Sequence, residues 1–225
     1  MPGGGNDANT LLLLHCDGTN NSTTFIDSSS QARTMTANGG AKLVTAQQKF
    51  GTASYLVDGV NGTFVTAPHI SADDFGAGSF TIDMWVRFNT ISQKYIINRN
   101  ASVVNNCDLL MNSSSNVQFF IMGSTVINAT WSPSTAIWYH IAFVRNGSAC
   151  DFYVNGTSVG SGSNSSSVTD TNGWAIGGAR NGVLCFDGWL DEIRISNVAR
   201  WTTAFTPETT PYGQASAGLN QAIFL

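Results

Sequence analysis

Phe186-Asp187-Gly188-Trp189-Leu190-Asp191-Glu192-Ile193-Arg194-Ile195-Ser196 is the stretch whose reading decides the fold. An Asp-Gly turn opens it, and strict alternation follows. Trp189, Asp191, Ile193 and Ile195 fall on one face; Leu190, Glu192, Arg194 and Ser196 fall on the other. A period of two predicts a strand. Asp191 is the odd member of its face. A carboxylate among apolar side chains must be paired, hydrogen-bonded or metal-bound, because burying it bare is too costly. With ten Lys plus Arg against fourteen Asp plus Glu, cations are scarce, so a metal ion is a candidate partner.

Outward from this stretch the same pattern recurs. Residues 79 to 88 form the clearest strand. Ile82, Met84, Val86 and Phe88 make a face that belongs between two sheets, while Thr81, Asp83, Trp85 and Arg87 face out. Trp138 to Arg145 is apolar on both faces, which places it mid-sheet under a further layer. Shorter strands are expected at 11–16, 42–45, 53–57, 64–67, 95–99, 107–112, 117–122, 126–129, 151–154 and 174–178, with a short one near Thr34 and Met35. Asn146-Gly147 and Asn155-Gly156 are hairpin turns. Residues 71 to 78 read as a turn with one helical turn capped by Ser71. Residues 158 to 167 read as a polar loop, and the segment after Ser196 as irregular chain crossing the sheet. No amphipathic helix and no repeat is present. The fold class is all-β, with residues 1–10 a flexible arm, 11–212 one domain and 213–225 a tail ending in Ala222-Ile223-Phe224-Leu225.

Composition excludes several functions. The net charge is -4 and charged residues are 11% of the chain; without basic clusters it is a poor nucleic-acid binder. No apolar run approaches the roughly 20 residues of a membrane-spanning helix. No basic region or cleavage site marks a signal peptide at the N-terminus. Cys16, Cys107, Cys150 and Cys185 lack zinc-type spacing; they are read as buried thiols, with two disulfides the other option.

The segments LLLLHCDG (11–18), KFGTASYLVDG (49–59), GSFTIDMWVRF (78–88), WYHIAFVRNG (138–147), DFYVNG (151–156) and FDGWLDEIRISNVARWTTAFTPETTPY (186–212) occur in order across nearly the whole chain. Together they resemble laminin-G-like members of the concanavalin A-like lectin/glucanase superfamily, most of all versions found in bacteriophage virion proteins. The resemblance implies a jelly-roll β-sandwich of two antiparallel sheets, one concave. It implies a structural calcium where the first and last strands meet, with Asp17 and Asp191, then Asp58, as ligands; the other account of these carboxylates is ordinary turn chemistry and backbone amides.

Glycoside hydrolysis needs two carboxylates about 5 to 10 Å apart across a cleft. The only glutamates are Glu192 and Glu208, the strand most like a catalytic one carries Asp83 alone, and Asp191 and Glu192 alternate to opposite faces. His15, His69 and His140 have no nucleophile elbow near them, and His140 reads as a hydrogen-bonded core residue. The expectation is a non-enzyme. Sugar rings stack on Trp and Tyr while Asp and Arg take hydroxyls, so Asp83, Trp85, Arg87 and Tyr153 are the candidate ligand-binding residues. The expected role is a virion protein, either a head decoration or fibre or a tail-associated adhesin, binding other virion proteins and host surface polysaccharide. The arm and the apolar tail end favour a homo-oligomer, a trimer by analogy with virion fibres. The alternative is a bacterial carbohydrate-binding lectin module.

Overall fold

The computed structural model describes residues 5–99, 106–112 and 116–213. The N-terminal half of the chain supplies β1 (Thr10–Leu14), β2 (Thr36–Asn38), β3 (Lys42–Val44), β4 (Ser54–Asp58), β5 (Phe64–Ala67), β6 (Phe80–Phe88), β7 (Lys94–Asn98) and β8 (Asp108–Met111). The C-terminal half supplies β9 (Asn116–Ile121), β10 (Ser124–Thr130), β11 (Trp138–Asn146), β12 (Ala149–Val154), β13 (Thr157–Ser163), β14 (Trp174–Ile176) and β15 (Asp187–Ser196). All pairings between these strands are antiparallel. One sheet runs β13-β12-β11-β6-β15-β4-β3, with β1 added beside the end of β15; the other runs β10-β9-β8-β7-β14-β5-β2. This is the expected jelly-roll sandwich.

The core lies between the sheets. Ile82, Met84, Val86 and Phe88 of β6 enter it, as the alternation requires, and meet Phe119, Ile121 and Trp174 from the opposite sheet. Phe119 and Phe143 stack at a centroid distance of 3.5 Å across the sandwich. The four cysteines are free and buried, acting as small apolar residues.

Three local expectations are corrected. First, residues 157–163 are a strand, not a loop. β13 pairs with β12 across the Asn155-Gly156 turn, and its glycines let it press onto the edge of the other sheet: a Cβ at Gly160 would meet Ala129, and one at Gly162 the Val126 carbonyl. Second, the 3₁₀ turn Ser71–Asp73 is not capped by Ser71; its N-cap is Ile70, whose amide donates to the Asp73 carboxylate. Third, β15 is not a simple alternating strand. Asp191 pairs with Trp85 and Arg194 with Asp83, so Glu192 and Ile193 together oppose Met84. Glu192 takes a left-handed φ of 48°, the mark of a β-bulge. The bulge puts Leu190, Ile193 and Ile195 into the core. It leaves Asp191 and Arg194 on the outer face, the face turned away from the other sheet.

Residues 5–9 are tied down as well. Asp7 holds Arg200 and Asn6 donates to the Ser28 carbonyl. The apolar tail end at Ala222 to Leu225 lies outside the described residues.

Gly188 explains why the Asp-Gly pair opens β15. A Cβ there would run into the Arg87 carbonyl oxygen and the Phe186 ring. Gly188→Ala is expected to cost roughly 1–3 kcal/mol by overpacking, read as a lower urea midpoint at unchanged slope.

Candidate functional site

The outer face of the eight-stranded sheet carries aromatic, basic and acidic side chains side by side, and it is divided in two. One half is covered by residues 197–212, which cross it as a strap. Trp201 and Phe205 stack on each other at 4.0 Å and pack on Ala142, Val144 and Tyr153. Both rings present edges to His140. The strap is fixed at both ends. Thr81 Oγ1 donates to the Val198 carbonyl and accepts from the Arg200 amide; at the far end the Tyr212 amide donates to Glu192 Oε2 at 2.7 Å.

Beneath the strap lies a buried polar network. Arg194 grips Asp83 through Nε and Nη2, both at 3.1 Å, and Tyr212 Oη donates to Asp83 Oδ2 at 2.6 Å. His140 Nε2 sits 2.9 Å from the same hydroxyl, and the Arg194 guanidinium lies 3.8 Å from the Tyr212 ring centroid. Asp83 and Arg194 are both 0% exposed. Burial alone would raise the Asp83 carboxyl, but the Arg194 and His140 charges outweigh it and hold it well below the usual carboxylate range. Burial also drives the Tyr212 phenol far up, helped by the Asp83 charge. Of the expected ligand-binding residues, then, Asp83 and Tyr153 are sealed inside. Trp85 is only 7% exposed, covered by Lys49, whose Nζ is 3.8 Å from its ring centroid, and by the edge of Phe50.

The other half of the face is open. Cross-strand pairing lines up Lys42, Leu56, Trp189, Arg87 and Trp138 in one row over five strands. Every member is half-buried. Arg87 lies 4.7 Å from the Trp189 ring centroid. The next outward row supplies Asp58, Asp187 and Asn89, with Asp187 accepting from Asn89 Nδ2 at 3.0 Å and from Thr90 Oγ1 at 2.8 Å. The arrangement is two flat indoles flanking a planar donor, with amide, hydroxyl and carboxylate groups along one rim. Arg87 is the one expected ligand residue that belongs to it. Trp138 and Trp189 were missed. The signal was present, since both fall on the same side as Arg87 once 138–145 and 186–196 are taken as its two neighbouring strands.

The three carboxylates expected to share a calcium ion are each engaged by donors of the protein. Asp17 is occupied by the Thr52 hydroxyl and amide. Asp58 accepts from the Val60 amide in a turn. Asp191 takes the amides of Lys49 and Phe50 on one oxygen and of Glu192 on the other. Among the described residues no three His, Cys, Asp or Glu side chains group around a common point. Nor do Asp191 and Glu192 form a hydrolytic pair. The bulge brings Asp191 and Glu192 to the same side, against the alternation, but both are buried and committed, Glu192 to Tyr212 and to His15 Nδ1 at 2.7 Å. Burial pushes Asp191 up to about 8 despite its three amide donors. The hydrogen bond to Glu192 raises His15 against the opposing effect of its burial.

The family model for the concanavalin A-like lectin/glucanase superfamily matches residues 58–203, and the chain belongs to this family. The fold is shared with solved structures of low sequence identity. The binding domain of Paraclostridial Mosquitocidal Protein 1 is 17% identical with a TM-score of 0.67, over 85% of this chain and 49% of that one. Trypanosoma rangeli sialidase is 14% identical with a TM-score of 0.62, over 86% and 31%. Domain 4 of AbnA, an extracellular arabinanase from Geobacillus stearothermophilus, solved with arabinotriose, is 19% identical with a TM-score of 0.56, over 84% and 93%. The chain thus spans half or less of the first two. No curated protein sequence matches it.

Asp83→Asn removes the charge that Arg194 faces in a buried site, and is expected to destabilise by roughly 3–5 kcal/mol, measured by chemical denaturation. The raised His15 and Asp191 values carry the same sign. Stabilisation by protonated His15 is complete below its ordinary value of 6.5 and is lost as pH rises through the folded value. Asp191 folds neutral between 3.8 and about 8, so its burial becomes steadily costlier over that range. The melting temperature should therefore fall from pH 5 to pH 8.5, and His15→Gln should flatten the upper part of the fall. Since each of Asp17, Asp58 and Asp191 already accepts from protein donors, EDTA is expected to leave the melting temperature where calcium leaves it.

Proposed function

We propose that the domain is a non-enzymatic glycan-binding module and that its site is the open half of the outer face, centred on Trp138, Arg87 and Trp189. The observation that carries the reading is the row itself: two indoles held in one plane of the sheet by neighbouring strands, left uncovered where the strap protects everything else. Half-exposed tryptophans in a rigid sheet offer flat apolar area at little entropic cost. Asp187, Asn89 and Thr90 offer hydroxyl partners at the rim. Structures of the same fold include the binding domain of Paraclostridial Mosquitocidal Protein 1 and an arabinanase domain in complex with arabinotriose, and the second supports a carbohydrate ligand.

The finer reading places this module in a phage virion, as a head decoration or fibre or a tail-associated adhesin that holds other virion proteins and host surface polysaccharide, assembled as a trimer. The six ordered sequence segments support it. Light scattering at micromolar concentration tests the assembly: a trimer fits, and a monomer removes it. A monomer that still binds sugar leaves the alternative, a bacterial lectin module.

Trp189→Ala is expected to lower affinity for a bound oligosaccharide at least tenfold, about 1.4 kcal/mol, with the melting curve little changed. Tyr153→Phe, under the strap, should bind as the parent does. Titration calorimetry with the best hit from a glycan array checks both; a Trp189→Ala protein that binds normally refutes the site.

A further inference from the structure

The ten basic residues of this chain are spent very unevenly. Arg33, Arg99, Arg194 and Arg200 are matched to Asp73, Asp74, Asp83 and Asp7 inside the protein. Arg145 is locked onto the carbonyls of Gly147, Ser166 and Gly76. Lys94 reaches the Gly59 carbonyl. Three of the remaining cations, Lys42, Lys49 and Arg87, sit on the open half of a single face, and none takes part in an ion pair among the described residues. In a protein of net charge -4, these three cations outnumber the two carboxylates, Asp58 and Asp187, of the neighbouring row.

The placement of the three is ordered. Arg87 and Lys42 share the cross-strand row through Leu56 and Trp189. Lys49 stands over Trp85, which is two residues from Arg87 on the same face of β6, about 7 Å along the strand. Its ammonium is held by the ring faces of Trp85 and Phe50 rather than by a carboxylate. Arg87 is held in the same way on Trp189, and its donors make no hydrogen bond among the described residues. An arginine fixed by stacking, with its fork free, matches the two oxygens of a carboxylate. An ammonium placed one step further along the strand matches a second acid group on the same ligand.

We infer that the ligand of this site is an acidic glycan, whose sugar carboxylates, of uronate or sialate type, are gripped by Arg87 and Lys49 while its rings stack on Trp189 and Trp138. The inference rests on the glycan-binding reading above and narrows it to a charge class. Asp187 and Asp58 lie one row further out and keep their charges; Asn89 and Thr90 donate to the two Asp187 oxygens.

The test uses the full chain on an array that carries sialylated and uronate-containing oligosaccharides beside their neutral counterparts, the desialylated and carboxyl-reduced forms. Calorimetry of the best acidic member and its neutral partner follows, at low and high sodium chloride. The expected result is at least a tenfold preference for the acidic member, weakening with salt. Arg87→Gln should erase the preference and Arg87→Lys keep part of it, each with an unchanged melting curve. If neutral and acidic members bind alike, or Arg87→Gln binds the acidic sugar normally, the inference is overturned and the glycan-binding reading stands. If no member of either class binds, both are overturned.

Discussion

The fold of the outer face depends on the pairing of Asp83 with Arg194. Both are fully buried, and neither could be there alone. Arg194 reaches Asp83 only because the β15 bulge moves it across the sheet from the face its sequence position suggests. The pair in turn needs a cover, and Tyr212 provides it by donating to Asp83 and lying under the guanidinium. The strap therefore belongs to the domain. It is the third layer that a charged pair on a sheet surface requires if water is to be kept out.

That layer decides where a ligand can go. Trp201, Phe205 and Tyr212 fill half of the outer face of the eight-stranded sheet, and Lys49 and Phe50 close over Trp85. The remaining area is narrow, and its contents follow from register alone. β6 places Arg87 beside Trp138 of β11 and Trp189 of β15. The same residues that look like a generic strand pattern become a binding surface because their neighbours are hidden.

Much of this was legible in the sequence. Alternation at 79–88 separated the core face of β6 from the outer one, and the doubly apolar stretch 138–145 announced that something lies over it. The strap was visible as irregular chain crossing the sheet. The bulge was not visible: Asp191-Glu192 breaks the period of two through one left-handed backbone angle, which no alternation count detects. This single extra residue moved Arg194 to the outer face and let Asp191 settle among backbone amides, where the sequence suggested a metal. Asp83 and Tyr153 were misplaced for the opposite reason. Their strands were read correctly, but a partner more than fifty residues further along the chain covers them. β13 escaped because a Gly-Ser strand has no apolar pattern; its glycines answer to the backbone they touch.

The seam between β1 and β15 joins residues nearly two hundred positions apart, and Asp7 and Arg200 clamp the same two ends. Closing so large a loop costs entropy before any contact compensates for it. The domain must therefore gather most of its length before its central strands can find one another, and folding should be slow and all-or-none. Once closed, the N-terminal strand can peel away only by stripping its pairing from β15, the strand that also holds β6 and β4.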